Sequence, residues 1–166
     1  MTIKKGGQIP YSEHLTSLPE EGSEMRTLSV KDLFAGKKVV LFDLPGAFTT
    51  GCSNKNLPEY GLYYNSFKDK SIDAIYCTAV NDPFVMHAWS QNYDIMDKVE
   101  VISNGDCSFH EKIGLTQVMP GLGVRSLRYS MYVDDVKVIN IEEPGPSSYR
   151  ISGPNHMLKD IEELGV

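Results

Sequence analysis

An α/β fold is predicted by three observations. Short apolar runs alternate with stretches of helical periodicity through the first two thirds of the chain. The last third changes to two strand-like runs across Asp134-Asp135, followed by one amphipathic helix. At 166 residues, 41% of them apolar and 23% charged, the chain is long enough for one complete core and too short for two ordinary ones. One domain over residues 1–166 is expected, without internal repeat, low-complexity tract or long linker.

The elements follow in order. Residues 11–27 are polar and rich in Ser, Glu and Pro, and form an N-terminal extension, either a surface hairpin or an ordered loop. Ser29-Val-Lys-Asp-Leu-Phe-Ala with Gly36 behind it reads as a short helix with an N-cap and a C′ glycine. Val39–Leu44 is a buried strand. A helix follows from about Cys52 to Lys68, with Leu57, Tyr60, Gly61, Tyr64 and Phe67 near one face. Pro58 inside it removes a donor and crowds the carbonyl of Asn54, so a kink is expected. The alternation continues with strand Ile72–Val80, helix Pro83–Tyr93, strand Val99–Ser103 and a short helix Phe109–Gly114. Ser126–Val133 and Val136–Ile141 form a strand pair. A last helix begins near Pro154, with Met157, Leu158, Ile161 and Leu164 on its apolar face. This order predicts a thioredoxin-like fold: a mixed five-stranded sheet, three strands parallel and two antiparallel, flanked by helices. The turn after Leu44 then lies at the carboxyl end of the central strand, where ligand sites of α/β sheets form. The returning strand brings Arg125-Ser-Leu-Arg128 to the same edge.

The net charge of −6, with scattered Lys and Arg, argues against nucleic acid or an anionic membrane as partner. No apolar stretch approaches the roughly 20 residues that span a bilayer, and Met1-Thr-Ile-Lys-Lys-Gly-Gly does not lead into a secretory signal. Three cysteines (Cys52, Cys77, Cys107) without a CxxC pair point to a reducing, cytoplasmic setting rather than a disulfide scaffold; an organelle stays open if the chain is processed. No His, Asp or Cys cluster has metal-ligand spacing, so neither metal nor bound cofactor is expected. The glycines of Pro120-Gly-Leu-Gly-Val suit a turn, and lack the helix a phosphate loop requires.

Chemistry concentrates in Pro45-Gly-Ala-Phe-Thr49-Thr-Gly-Cys52. A strand enters it and a helix leaves it, which puts Cys52 in a first helical turn. Free N–H groups and the positive end of the dipole there favour the thiolate, the attacking form. Backbone N–H groups at Gly51 and Cys52 are aimed where charge develops, as in an oxyanion hole. Thr49 offers a hydroxyl that can both donate and accept a hydrogen bond. Arg128 offers a permanently charged planar fork of donors. Cys77, in the apolar strand Ile75-Tyr-Cys-Thr-Ala-Val, reads as inert core. Cys107 follows a strand in the polar loop Ser103-Asn-Gly-Asp-Cys, a setting compatible with exposure. Arg125 reads as structural, and His87 and His110 as core-edge or surface residues.

The spacing Pro45, Thr49, Cys52 resembles the hallmark Pro-x-x-x-Thr/Ser-x-x-Cys of the peroxiredoxin superfamily. Pro-Gly-Ala-Phe-Thr-x-x-Cys-Ser, Leu57-Pro58-x-Tyr60, Val80-Asn-Asp-Pro-Phe-Val85 with Trp89, and Arg128-Tyr-Ser-Met131 are similar to the peroxiredoxin-5 (redoxin) branch. The likeness runs from about residue 5 to 165. It implies that Cys52 is the peroxidatic cysteine, attacking hydrogen peroxide or an organic hydroperoxide and becoming a sulfenic acid. Thr49 and Arg128 would hold the thiolate and the departing oxygen, and Pro45 would shield the pocket. Phe48 with Gly51 would meet the substrate, and Phe48, Leu122 and the apolar turn 118–124 would line a mouth suited to alkyl hydroperoxides.

The resemblance also implies a homodimer, with Phe48, Phe84 and Trp89 apolar enough to line its contact. Many members of the branch carry a resolving cysteine before the last helix. Here Gly145-Pro-Ser-Ser-Tyr-Arg150-Ile-Ser-Gly153 has none. Cys107 should lie two strands, about 10 Å, from the Cys52 strand, beyond the roughly 7 Å a disulfide tolerates. Cys77 is on the adjacent strand but sequestered. A one-cysteine cycle is therefore expected, and the resemblance implies that glutathione or glutaredoxin recycles it. The alternatives are a thioredoxin-recycled two-cysteine peroxidase using Cys77 or Cys107, and a peroxide sensor or redox relay passing oxidation to a partner.

Overall fold

In the computed structural model, which describes residues 2–12, 14–49, 53–142 and 153–165, the apolar run is strand β3, Lys38–Asp43. Its side chains alternate between two core layers. Val40, Phe42 and Leu44 enter one layer, and Val39 and Leu41 the other. A strand buried on both faces must be apolar throughout, which is why this segment showed no alternation. The two other parallel strands are β4 (Ala74–Ala79) and β5 (Glu100–Ser103), and the antiparallel pair is β8 (Tyr129–Asp134) with β9 (Lys137–Ile141). Asp135 and Val136 turn between β8 and β9 at φ 47° and 71°.

The main sheet has seven strands rather than the five expected. Beyond β5 lie β1 (Leu15–Ser17) and β2 (Arg26–Leu28), in the order β2-β1-β5-β4-β3-β8-β9. The polar N-terminal extension is thus a hairpin, and Thr16 pairs with Ser103 to cover what would be an open edge. The expected strand Ser126–Val133 is also divided. Gly123–Ser126 is a separate strand, β7, paired with β6 (Thr116–Met119) in a two-stranded hairpin outside the main sheet. Leu127 N–H turns aside to the carbonyl of Leu115 (2.9 Å), and the main ladder starts at Tyr129.

Helix α1 (Val30–Phe34) is capped as expected: Asp32 N–H donates to Ser29 Oγ at 3.0 Å, and Gly36 follows at φ +67°. The expected helix to Lys68 is two helices, α2 (Ser53–Leu62) and α3 (Tyr64–Asp69), with Pro58 inside the first. The break comes two residues after Gly61, a weak helix former kept bare because a Cβ there would collide with Ile95. Tyr60 stacks flat on Phe42, centroids 3.8 Å apart, and fastens α2 to β3.

Helices α4 (Pro83–Ser90), α5 (Ser108–Ile113) and α6 (Pro154–Glu163) complete the two outer layers. Met157 and Ile161 anchor α6, whereas Leu164, expected on its apolar face, is exposed. Trp89 is fully buried in the core, so it lines no contact between copies. Among the described residues no helix is long and apolar enough to cross a membrane.

Candidate active site

At the carboxyl end of β3 the chain leaves the sheet through Leu44, Pro45 and Gly46, all buried, and reaches the surface at Phe48. Three side chains from elsewhere in the sequence hold this turn by its backbone. Asn81 Oδ1 accepts from Ala47 N–H at 2.8 Å, and Ser126 Oγ donates to the carbonyl of Leu44 at 3.1 Å. Arg125 Nη1 donates to the carbonyls of Val80 (2.9 Å) and Pro45 (3.4 Å), while its Nε donates to Leu122. Gly46 lies under Arg125 so closely that a Cβ there would stand 2.8 Å from Nη1. The expectation that Arg125 is structural is met.

Thr49 Oγ donates back to the carbonyl of Gly46 at 2.7 Å, which folds the turn on itself. Phe48 adopts φ 60°, a conformation a bulky side chain rarely takes, with 55% of its surface exposed. Strain of this kind gathers at functional turns. Pairing of Asp43 with Tyr129 brings Arg128, one residue before β8, level with Leu44. It is buried there, with 6% of its surface exposed. Pro45, Thr49, Phe48 and Arg128 therefore collect at one sheet end. Gly51 and Cys52 lie outside the described residues, as does Arg150; α2 is described from Ser53 onward.

The other two thiols are buried. Cys77 lies between Phe42 and Val101 in the sheet register, and burial, with the Asp43 carboxyl adding to it, pushes its pKa well up. Cys107, whose polar loop is compatible with exposure, is instead 5% exposed, at φ 62°. Burial, together with Glu111, Asp43 and Asp106, raises it to about 11. Both remain thiols at neutral pH, which makes them poor nucleophiles.

Sequence reasoning missed three parts of this site. Asn81 stands in the Val80–Val85 motif, but no role was assigned to it. Asp43 interrupts an apolar run, a signal that was legible but unused. His110, taken as an edge residue, is fully buried with Nε2 2.9 Å from Asp43 Oδ2. Burial pushes the Asp43 carboxyl up, against the opposing pull of His110, Ser126 and Leu44 N–H. His87 is likewise buried rather than at the surface.

Glu142, His156 and Asp160 bring their ligand atoms within 4.8 Å of one another, a grouping that linear spacing did not show. His156 Nδ1 is 3.1 Å from Glu142, and Asn140 donates to Asp160 at 2.9 Å, so the carboxylates already have partners. Around the turn, Phe84, Val118, Leu122 and Val124 are exposed.

Comparison with known proteins agrees with this geometry. The redoxin family profile matches residues 4–153. The chain is 41% identical over 166 residues to chloroplastic peroxiredoxin-2E of Arabidopsis thaliana, covering 96% of this chain and 70% of the relative. Its fold is similar to that of reduced Prx3 from Vibrio vulnificus in complex with hydrogen peroxide. That match has a TM-score of 0.90 and 35% identity, and covers 99% of both chains. It is also similar to a 1-Cys peroxiredoxin, the antioxidant protein of Plasmodium falciparum, with TM-score 0.86 and 27% identity over 97% of this chain and 99% of that one.

Proposed function

Because the chain belongs to the redoxin family of peroxiredoxins and is a peroxidase, we propose that Cys52 is its peroxidatic cysteine and works without a second cysteine. The thiolate attacks the distal oxygen of hydrogen peroxide or an organic hydroperoxide. The O–O bond breaks, Cys52 becomes a sulfenic acid, and the departing alkoxide or hydroxide takes a proton to leave as alcohol or water. Arg128 meets the charge on sulfur and on the departing oxygen, and Thr49 orients the peroxide. Pro45 closes the floor of the pocket, with Gly51 N–H and Phe48 at its mouth. A small thiol of the glutathione class then displaces water from sulfenic Cys52. A second thiol, delivered by glutathione or glutaredoxin, breaks the mixed disulfide and returns the thiolate. The compartment is a reducing one, cytoplasm or organelle, as the chloroplastic relative illustrates for the family.

The observation that carries the one-cysteine cycle is the burial of both remaining thiols, Cys77 at 0% and Cys107 at 5% exposure. Cys107 is also two strands from β3. The exposed rings of Phe48 and Phe84 support a homodimer through this end of the molecule. Intact mass after one equivalent of hydrogen peroxide, before and after glutathione, tests the cycle. A gained oxygen that glutathione converts to an adduct on Cys52 is expected. Loss of two hydrogens without adduct would instead make Cys77 or Cys107 the resolving thiol and thioredoxin the better reductant. A stable mixed disulfide with one protein, in place of steady turnover, would favour a relay.

A further inference from the structure

The apolar layer formed by Leu41, Tyr76, Ile102, Phe109 and Tyr129 contains one polar thread. Asp43, the last residue of β3, meets His110 of α5 at 2.9 Å, both fully buried. On the other side of the ring, His110 Nδ1 is 2.9 Å from Asn104 Oδ1. That atom is the oxygen, because it also accepts from the backbone N–H groups of Phe109 (3.1 Å) and His110 (3.2 Å). A carbonyl oxygen only accepts, so Nδ1 carries a hydrogen and donates it. The ring is thereby oriented with Nδ1 toward Asn104 and Nε2 toward Asp43 Oδ2.

Stability does not account for such a pair. Replacing a buried ion pair by apolar side chains of similar size is often neutral or stabilising. What the pair adds is a side-chain link from the end of β3, two residues before Pro45, to helix α5. Ser126 approaches from the other side, with its hydroxyl on the Leu44 carbonyl. Tyr129, Cys77 and Cys107 are the remaining titratable groups that face Asp43. All three are held neutral there by burial.

We propose that Asp43 and His110 are positioning residues for the peroxidatic turn: the His110–Asp43 contact, held from behind by Asn104, sets the backbone course from β3 into Pro45–Thr49. This rests on the peroxidase reading above. It predicts that the pair tunes Cys52 without touching substrate.

Two variants test it, Asp43→Asn and the apolar pair Asp43→Val with His110→Leu. For each, thermal unfolding, the rate constant with hydrogen peroxide, and the pH midpoint of Cys52 alkylation followed peptide by peptide are measured. The apolar pair is expected to fold, to react about tenfold more slowly, and to move the Cys52 midpoint up by about one pH unit. Asp43→Asn, which keeps the volume and one hydrogen bond, should fall between it and the wild type. A folded apolar pair with wild-type rate and midpoint overturns the proposal. If that protein does not fold, Asp43→Asn decides: a folded protein within about twofold of wild type and with an unmoved midpoint overturns it. Failure of both to fold also overturns it, since the pair would then serve folding alone. Failure of the peroxidase reading is separate: it shows as wild-type protein that consumes no peroxide, while the alkylation midpoints still report on the pair.

Discussion

At its amino end β3 is tied by exposed turn chemistry, whereas its carboxyl end is held by buried side chains from distant parts of the chain. Lys38 N–H donates to Asp73 Oδ2 at 2.8 Å, Asp135 N–H donates to the Lys37 carbonyl at 3.0 Å, and Gly36 N–H donates to Asp135 Oδ1. At the other end the partners are His110, Asn81, Arg125 and Ser126, and most of the atoms are out of water. An exposed bond, once broken, is replaced by water at little net cost. A buried one leaves an unsatisfied group behind. Mutational sensitivity should therefore be concentrated at the carboxyl end, where geometry matters to the thiol.

The largest expected effect sharpens that contrast directly. Cys52→Ser should lower peroxide consumption by on the order of a thousandfold or more while leaving the unfolding midpoint in place, as an assay with glutathione and glutaredoxin beside a urea titration would report. Cys107 shows whether burial protects the neighbouring turn. With its pKa near 11, its alkylation in the native protein at pH 8 should be about a thousandth of the thiolate limit and should climb only as pH approaches 11. Because the folded pKa is raised, its contribution to stability is complete below about pH 9 and fades as pH rises through 11. Labelling of Cys107 as fast as Cys52 at pH 8 would break the account.

Arg128→Met should slow the reaction with hydrogen peroxide about a hundredfold, the usual loss when one donor to developing charge is removed. Arg125→Ala leaves the Val80 and Pro45 carbonyls without their donor. It should cost about 1–3 kcal/mol in urea unfolding, with a rate loss of about tenfold, since the turn loses its course. Gly46→Ala should resemble it more mildly by displacing the guanidinium. The smallest effects belong to the amino end. Asp73→Ala or Asp135→Ala should cost under about 1 kcal/mol and leave the peroxide rate constant as it was. A large rate loss there would mean the two ends of β3 are not independent.

Much of this arrangement was legible in the residues. The alternation of runs identified β3, β4 and β5. Asp134-Asp135 marked the β8–β9 turn, and Ser29 with Gly36 marked both ends of α1. The spacing of Pro45, Thr49 and Cys52 carried the chemistry. These are local signals, in which each residue reports its own backbone preference or its own side of a strand. The break between α2 and α3 was not legible, because it follows a glycine held bare by Ile95, 34 residues further on. For β1 and β2 a hairpin was one of two readings of the polar extension, and what was not legible is its pairing with the edge of β5.

By itself, then, the sequence determined the α/β order, the central strand and the thiol chemistry at its end, because periodicity, capping and motif spacing act over a few residues. Only the tertiary structure decided that Asn81, Arg125, Ser126 and the Asp43–His110 pair converge on one turn, and that Cys107 is shut away from it. Burial and hydrogen-bond partnership are properties of neighbours in space. No residue carries them in its own type.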